Sequence, residues 1–213
     1  MNQIATATPG ARKNPTQERS KARVELILEC ASALIEHGGS DALKMSEVAA
    51  RAGISIGSLY QYFPDKSSLI RVLAERINLH SRGCIEEGLR EVHDLASLRL
   101  AFSALVDRYF EIVSARPVMR DIWSGMQADR QLLGLQIAES RIAGGMLAEA
   151  MRKVHGDAER ERIAEIEQSA FLIWELGEAT IRLAIGVAPE EGAALVAAYK
   201  RMALREIAEP FED

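Results

Sequence analysis

The sequence predicts an all-α fold of about nine helices. Three observations carry that expectation. Apolar residues recur at three-and-four spacing almost end to end, and no stretch alternates for long enough to read as a strand. Aromatic residues make up 5% of a chain that is 48% hydrophobic, while Ala, Leu, Ile, Glu and Arg are abundant. Gly, Pro and Asp punctuate the pattern where helices should begin and end. At 213 residues the chain can bury a sizeable core, as one domain or as a small domain joined to a larger one.

Residues 1–15 are expected to form a flexible arm, because Pro9, Gly10 and Pro15 oppose an early helix start. The first helix should span 16–37 and bury Val24, Ile27, Leu28, Ala31, Leu34 and Ile35. Gly38-Gly39 ends it, since glycine takes the left-handed cap conformation without a Cβ penalty. Two short helices follow at 45–52 and 56–62. Pro64 stops the second, and Asp65 is placed to cap a fourth helix over 66–92, along which lie Val72, Leu73, Ile77 and Leu79. Behind it, Asp94, Pro117, Asp129, the His155-Gly156-Asp157 break and Gly186 with Pro189 mark further helices near 95–115, 117–126, 129–155, 158–186 and 189–209. The expected organisation is therefore an arm (1–15), a three-helix front domain (16–64) and a helical back domain (65–213).

Charge and cysteine usage narrow the class. The net charge is −5, yet residues 1–70 hold 8 Lys/Arg against 7 Asp/Glu, which is +1, leaving 18 against 24, or −6, for the remainder. The basic charge is concentrated at the front. Cys30 and Cys84 fall in separate helices without metal-ligand spacing, so they read as thiols of a reducing cytosol. No apolar run is long enough for a membrane helix and the polar N-terminus lacks a signal segment, so the expected location is cytoplasmic.

The segment from Lys44 to Lys66 is the most informative. It reads as a short helix, a tight glycine turn and a second short helix that ends in two exposed aromatics and a lysine. That is the arrangement of a helix-turn-helix, whose second helix enters the major groove of DNA. Val48 and Ala49 should face inward, and Gly53 supplies the positive φ of the turn. Ser55 is a natural N-cap, and Leu59 with Phe63 should anchor the second helix. Ile56, Gly57, Ser58, Tyr60, Gln61 and Tyr62 are left on the outer surface or its rim. One short helix reads too few base pairs to be selective, so a homodimer on a pseudo-palindromic site in double-stranded DNA is expected. Affinity should come mainly from phosphates.

The order Ala-Gly-Ile-Ser-x-Gly-Ser-Leu-Tyr-x-Tyr-Phe-x-x-Lys, within residues 17–70, resembles the TetR family of bacterial transcriptional regulators. The resemblance implies that Tyr60 and Tyr62 meet phosphates or the groove edge and that Lys66 holds a backbone phosphate. It implies a phosphate or base contact for Ser58, close approach at Gly57, and apolar contact from Ile56, for instance to a thymine methyl. The family often has Thr near 44–45, where this chain has Lys44-Met45. Ser46 is the expected replacement cap, and Lys44 a compensating phosphate contact. For Arg12, Lys13, Arg19, Lys21 and Arg23, DNA contact and simple solvation are both open.

The helix near 158–186 is apolar around most of its circumference, so more than its own domain should cover it. With the resemblance, this implies a four-helix dimer interface that includes Ile166, Ala170, Ile173, Gly177 and Ile181, with Ala194, Ala198 and Met202 from the last helix. The resemblance further implies a small-molecule effector held among the back helices. The candidate lining is Phe102, Leu105, Tyr109, Trp123, Met126, Ile137, Met146, Phe171, Trp174 and Glu178, with Arg120 and Arg141 as polar anchors, although residues of these types at helical spacing also serve as ordinary core. No catalytic motif, cofactor fingerprint or metal-ligand spacing is visible, so neither enzyme activity nor a cofactor is expected. The expected function is a repressor released by its effector. The alternative is a ligand-independent protein of the same fold, controlled by a protein partner or acting in chromosome organisation.

Overall fold

The computed structural model describes residues 15–116, 118–119, 122, 130–155 and 160–209. Among them are eight helices and no strand. These are α1 (Pro15–Ala42), α2 (Met45–Arg51), α3 (Ile56–Tyr62), α4 (Lys66–Leu89), α5 (Leu95–Ala115), α6 (Arg130–His155), α7 (Arg160–Ala184) and α8 (Pro189–Ala208). Most of the helix expected near 117–126 lies outside the described residues, although Val118, Met119 and Ile122 are helical and the last two are buried. Residues 1–14 of the arm expected over 1–15 and the expected caps Asp129 and Asp157 also lie outside them, while Pro15, expected in the arm, opens α1.

Local chemistry sets the helix ends. Gly39, at φ 81° and ψ 161°, breaks α1 in a conformation open essentially only to glycine. Asp65 and Asp94 each close a capping box with a serine three residues on, Ser68 and Ser97, so two unpaired backbone donors are satisfied reciprocally at the start of α4 and of α5. Pro189 opens α8 at the position where its missing N–H costs nothing. The start of α2 departs from expectation. Lys44 is extended there and its carbonyl accepts from Glu47 N (3.0 Å) and Val48 N (3.2 Å), with no side-chain cap. Ser46 is the second residue of the helix and not its cap.

In the front unit Ile27, Leu28, Ala31 and Ile35 of α1 pack with Val48 and Ala49 of α2 and with Leu59 and Phe63 around α3. Helix α4 leaves this core and joins the back helices. Its residue Leu79 is 68% exposed. Behind it, α6, α7 and α8 approach closely at glycines. A Cβ on Gly144 of α6 would lie 2.8 Å from Phe171 Cα of α7, and one on Gly192 of α8 would lie 2.4 Å from the Ala184 carbonyl oxygen.

The apolar circumference of α7 resolves into two stripes. Ile166, Ala170, Ile173, Gly177 and Ile181, expected at a subunit interface, are buried inside the chain. Gly177 lies against the phenol of Tyr199. The opposite stripe, Leu172, Leu176 and Leu183, is 57%, 45% and 55% exposed. Residues four and seven apart share a helical face, so each stripe satisfies the same periodicity and spacing alone does not say which one turns inward. On α8, Ala194 is exposed, Ala198 half-buried and Met202 67% exposed.

Candidate functional site

The turn between α2 and α3 is built from backbone hydrogen bonds. Gly53 N donates to Ala50 O (3.2 Å) and Ile54 N to Ala49 O (3.0 Å), a Schellman arrangement that needs the positive φ of Gly53, here 64°. Ser55 then caps α3, its Oγ accepting from Ser58 N at 3.1 Å and donating to Ser58 Oγ at 3.0 Å. Leu59 is 0% and Phe63 4% exposed, which fixes the rotation of the short helix. The outer face is consequently Ile56, Gly57, Tyr60, Gln61 and Tyr62, all exposed, with Ser58 at the rim. Ile56 and Tyr60 are 42% and 49% exposed, large apolar surfaces that none of the described residues covers. A Cβ on Gly57 would meet nothing closer than Ser55 Oγ at 4.0 Å, so no internal packing demands glycine there.

Two lysines frame this face. Lys44 is exposed and pairs with Glu47 at 3.2 Å. Lys66 is half-buried, and its ammonium donates to the carbonyls of Ser40 and Asp41, both at 3.1 Å. It thus ties the start of α4 to the segment just after the break in α1, a role that the motif alone does not reveal.

A cavity of about 320 Å³ lies behind this unit among α4, α5, α6, α7 and α8. Of the expected lining, Phe102, Leu105, Tyr109, Trp174 and Glu178 do line it. Ile137, Arg141, Met146 and Phe171 do not. On α6 the inward positions are Gln136, Glu139 and Ala143, which turns Ile137 and Arg141 to the exposed side. There the Arg141 guanidinium stacks 4.6 Å from the centre of the Phe171 ring. Arg120, Trp123 and Met126 lie outside the described residues.

Sequence reasoning missed the α4 wall (Leu73, Ile77, Ile85) and Gln136. A signal for Gln136 exists: with Ser140 it interrupts a buried stripe formed by Leu132, Ala143 and Leu147. The polar corner of the cavity centres on Glu178, whose Oε1 accepts from Trp174 Nε1 (3.2 Å) and whose Oε2 accepts from Gln136 Nε2 (3.3 Å). Burial and the neighbouring Glu175 carboxylate raise the Glu178 pKa above its ordinary value, against the pull of Gln136, Arg182 and Trp174. Burial likewise pushes the phenols of Tyr109 and Tyr199 upward, so both stay neutral.

One cavity side chain also reaches the front unit. Arg76 of α4 lines the cavity and makes a two-pronged ion pair with Glu25 of α1, with both contacts at 2.6 Å. The paired guanidinium lowers the Glu25 pKa through its hydrogen bonds and its charge. Among the described residues no group of His, Cys, Asp and Glu is arranged to hold a metal ion, and no helix is long and apolar enough to cross a membrane.

Comparison with known proteins agrees with this architecture. Residues 27–73 match the model for bacterial regulatory proteins of the tetR family, and residues 96–211 that for the tetracyclin repressor-like C-terminal domain. The HTH-type transcriptional repressor KstR of Rhodococcus jostii is 39% identical over 67 residues, which cover 32% of this chain and 31% of KstR. The nucleoid occlusion factor SlmA of Glaesserella parasuis is 25% identical over 129 residues, covering 60% of this chain and 61% of SlmA. The chain thus spans less than two thirds of either relative. A crystal structure of a TetR-family transcriptional regulator from Streptomyces coelicolor superposes with a TM-score of 0.66 at 23% identity, covering 92% of this chain and all of that one, which supports the fold. With a helix-turn-helix in front, a helical unit behind and family models matching each, the chain belongs to the TetR family of bacterial regulatory proteins.

Proposed function

We propose that the protein is a homodimeric, cytoplasmic repressor of a pseudo-palindromic operator, released when a small molecule occupies the cavity behind its DNA-reading unit. The division into a reader over 16–64 and a regulatory and dimerisation unit over 65–213 is part of this reading. The observation that carries it is the position of Arg76, which lines the cavity and grips Glu25 of α1. An effector that favours a different setting of Arg76 changes how the reader is held. It shifts the equilibrium only by its differential affinity for the two settings.

On the DNA side, Tyr60, Tyr62, Lys44 and Lys66 are the proposed backbone contacts, and Ile56, Ser58 and Gln61 the proposed base-edge contacts. Gly57 allows close approach, and Ser55 holds the helix that presents them. Direct base-reading chemistry on this face is sparse, so selectivity comes from pairing two readers at a fixed spacing. Pairing is proposed through Leu172, Leu176 and Leu183 of α7 with Ala194, Ala198 and Met202 of α8, the outward residues of the last two helices.

The test is selection of bound fragments from the host genome with the purified full chain, followed by anisotropy titration of the selected site. Two inverted half-sites and loss of affinity in Tyr60→Ala are the expected results. A selected site without two-fold symmetry, or one bound equally well by Tyr60→Ala, would sink the reading. The match to SlmA, whose name is that of a nucleoid occlusion factor, favours a second reading in which the protein marks many chromosomal sites. Genome-wide occupancy separates the two: a few promoters for the first, dispersed sites for the second.

A further inference from the structure

The polar corner of the cavity is rich in acceptors and poor in donors. Gln136 lines the cavity and is 8% exposed. Its amide nitrogen is used by Glu178, while its Oε1 is buried and has no hydrogen-bond partner among the described residues. Buried acceptors are normally paired, and an unpaired one forfeits its solvation without return. Glu178, beside it, takes one donor on each carboxylate oxygen and has further lone pairs to offer. Arg182 compensates its charge only from 3.8 Å. Two donors nearby are already spent: the Trp174 N–H on Glu178, and the Tyr199 hydroxyl on the Ile173 carbonyl at 2.6 Å. Away from this corner the wall is apolar, with Ile77, Phe102, Val106, Ile112 and Ile181.

We propose that the cavity takes a small, largely apolar molecule with one hydrogen-bond-donating head, an amine or a hydroxyl, seated against Gln136 Oε1 and Glu178. The inference rests on the reading of this cavity as the effector site and adds the chemical class of the effector. At a liquid-like ~30 Å³ per non-hydrogen atom, a cavity of about 320 Å³ holds a molecule of roughly ten such atoms. An anionic, acceptor-only head fits this corner poorly, because Gln136 Oε1 and the Glu178 oxygens present acceptors to it. Arg108 and Arg116 also line the cavity, but both are exposed, and water and salt screen an anion held there.

The test is calorimetric titration of the full chain with three probes of one length: 1-octylamine, 1-octanol and octanoate. The amine and the alcohol should each bind tighter than octanoate by on the order of tenfold, the cost of leaving a buried acceptor unpaired. Gln136→Met, which keeps the volume and deletes one of the two acceptors, should diminish that preference. The series on the parent chain stands by itself if the variant does not fold. The amine ahead of the alcohol assigns a charged head, and the reverse order a neutral one. Octanoate binding as tightly as octanol would place the head at Arg108 and Arg116 and overturn the proposal, as would a preference undiminished in Gln136→Met. No binding by any probe would reject the cavity as an effector site and this inference with it. Selective binding that leaves operator affinity unchanged would reject control by ligand and leave the head-group assignment standing.

Discussion

Leu59 and Tyr60 are neighbours with opposite duties. Leu59 is wholly buried and Tyr60 is 49% exposed, so truncation should separate folding from DNA binding. Leu59→Ala is expected to cost about 2–5 kcal/mol of stability through the cavity it leaves. Tyr60→Ala should stay within about 0.5 kcal/mol of the parent and yet weaken operator binding. Urea unfolding beside an anisotropy titration checks both. Lys66 combines the two duties, since its ammonium already holds the carbonyls of Ser40 and Asp41. Lys66→Met should therefore lose roughly 1–3 kcal/mol without any DNA present; unchanged unfolding would mean that the lysine serves DNA alone. Glu178 gives a pH signature. Its pKa is raised from 4.5 by burial and by Glu175, so the folded chain binds that proton more tightly than the unfolded chain does. The stability this supplies is complete below the unfolded value and is lost as pH rises from there through the folded value. The thermal midpoint of Glu178→Gln should accordingly gain on the parent as pH rises above the ordinary carboxylate range. A constant difference would mean that Arg182 keeps the carboxylate ionised throughout.

At the level of helices, the glycines divide into those that touch a neighbour and those that do not. Gly192→Ala would bring its methyl carbon to 2.4 Å from the Ala184 carbonyl oxygen, and backbone on both sides leaves little room to yield. A loss of roughly 1–3 kcal/mol or more is expected from prising α8 off α7. Gly145→Ala on α6 meets nothing within 4 Å and should stabilise by about 0.5–1 kcal/mol. Thermal unfolding of the pair tests the packing, because equal effects would mean that α7 and α8 do not approach as described. The contrast also explains what the sequence could convey. From Gly38 to Asp65, each turn and cap has a cause within a few residues, so the reader was legible down to Gly53, Ser55 and Leu59. Ser46 was misassigned because a backbone carbonyl, that of Lys44, does the capping, and no side-chain pattern records that. The stripes of α7 are both apolar, so periodicity identified the helix but not its inward side. The cavity draws walls from helices far apart in the chain, and only packing reveals that Gln136 belongs to it while Ile137 does not.

For the molecule as a whole, the three outward leucines of α7 are the feature with most at stake. Leu176→Glu places a charge in the middle of that face and should convert a dimer to a monomer in sedimentation, with operator affinity falling while the helical signal is kept. A chain that already sediments as a monomer would remove the proposed pairing. A regulator assembled through such a face also responds to its own abundance. Subunits that must meet before they read DNA occupy an operator in proportion to the square of their number when they are scarce. Halving the gene dose would then free the target promoter by more than half, without any change in effector. If the chain pairs as proposed, the exposed surfaces of Leu172, Leu176 and Leu183 would tie expression of the target to how many copies of the regulator a cell inherits at division.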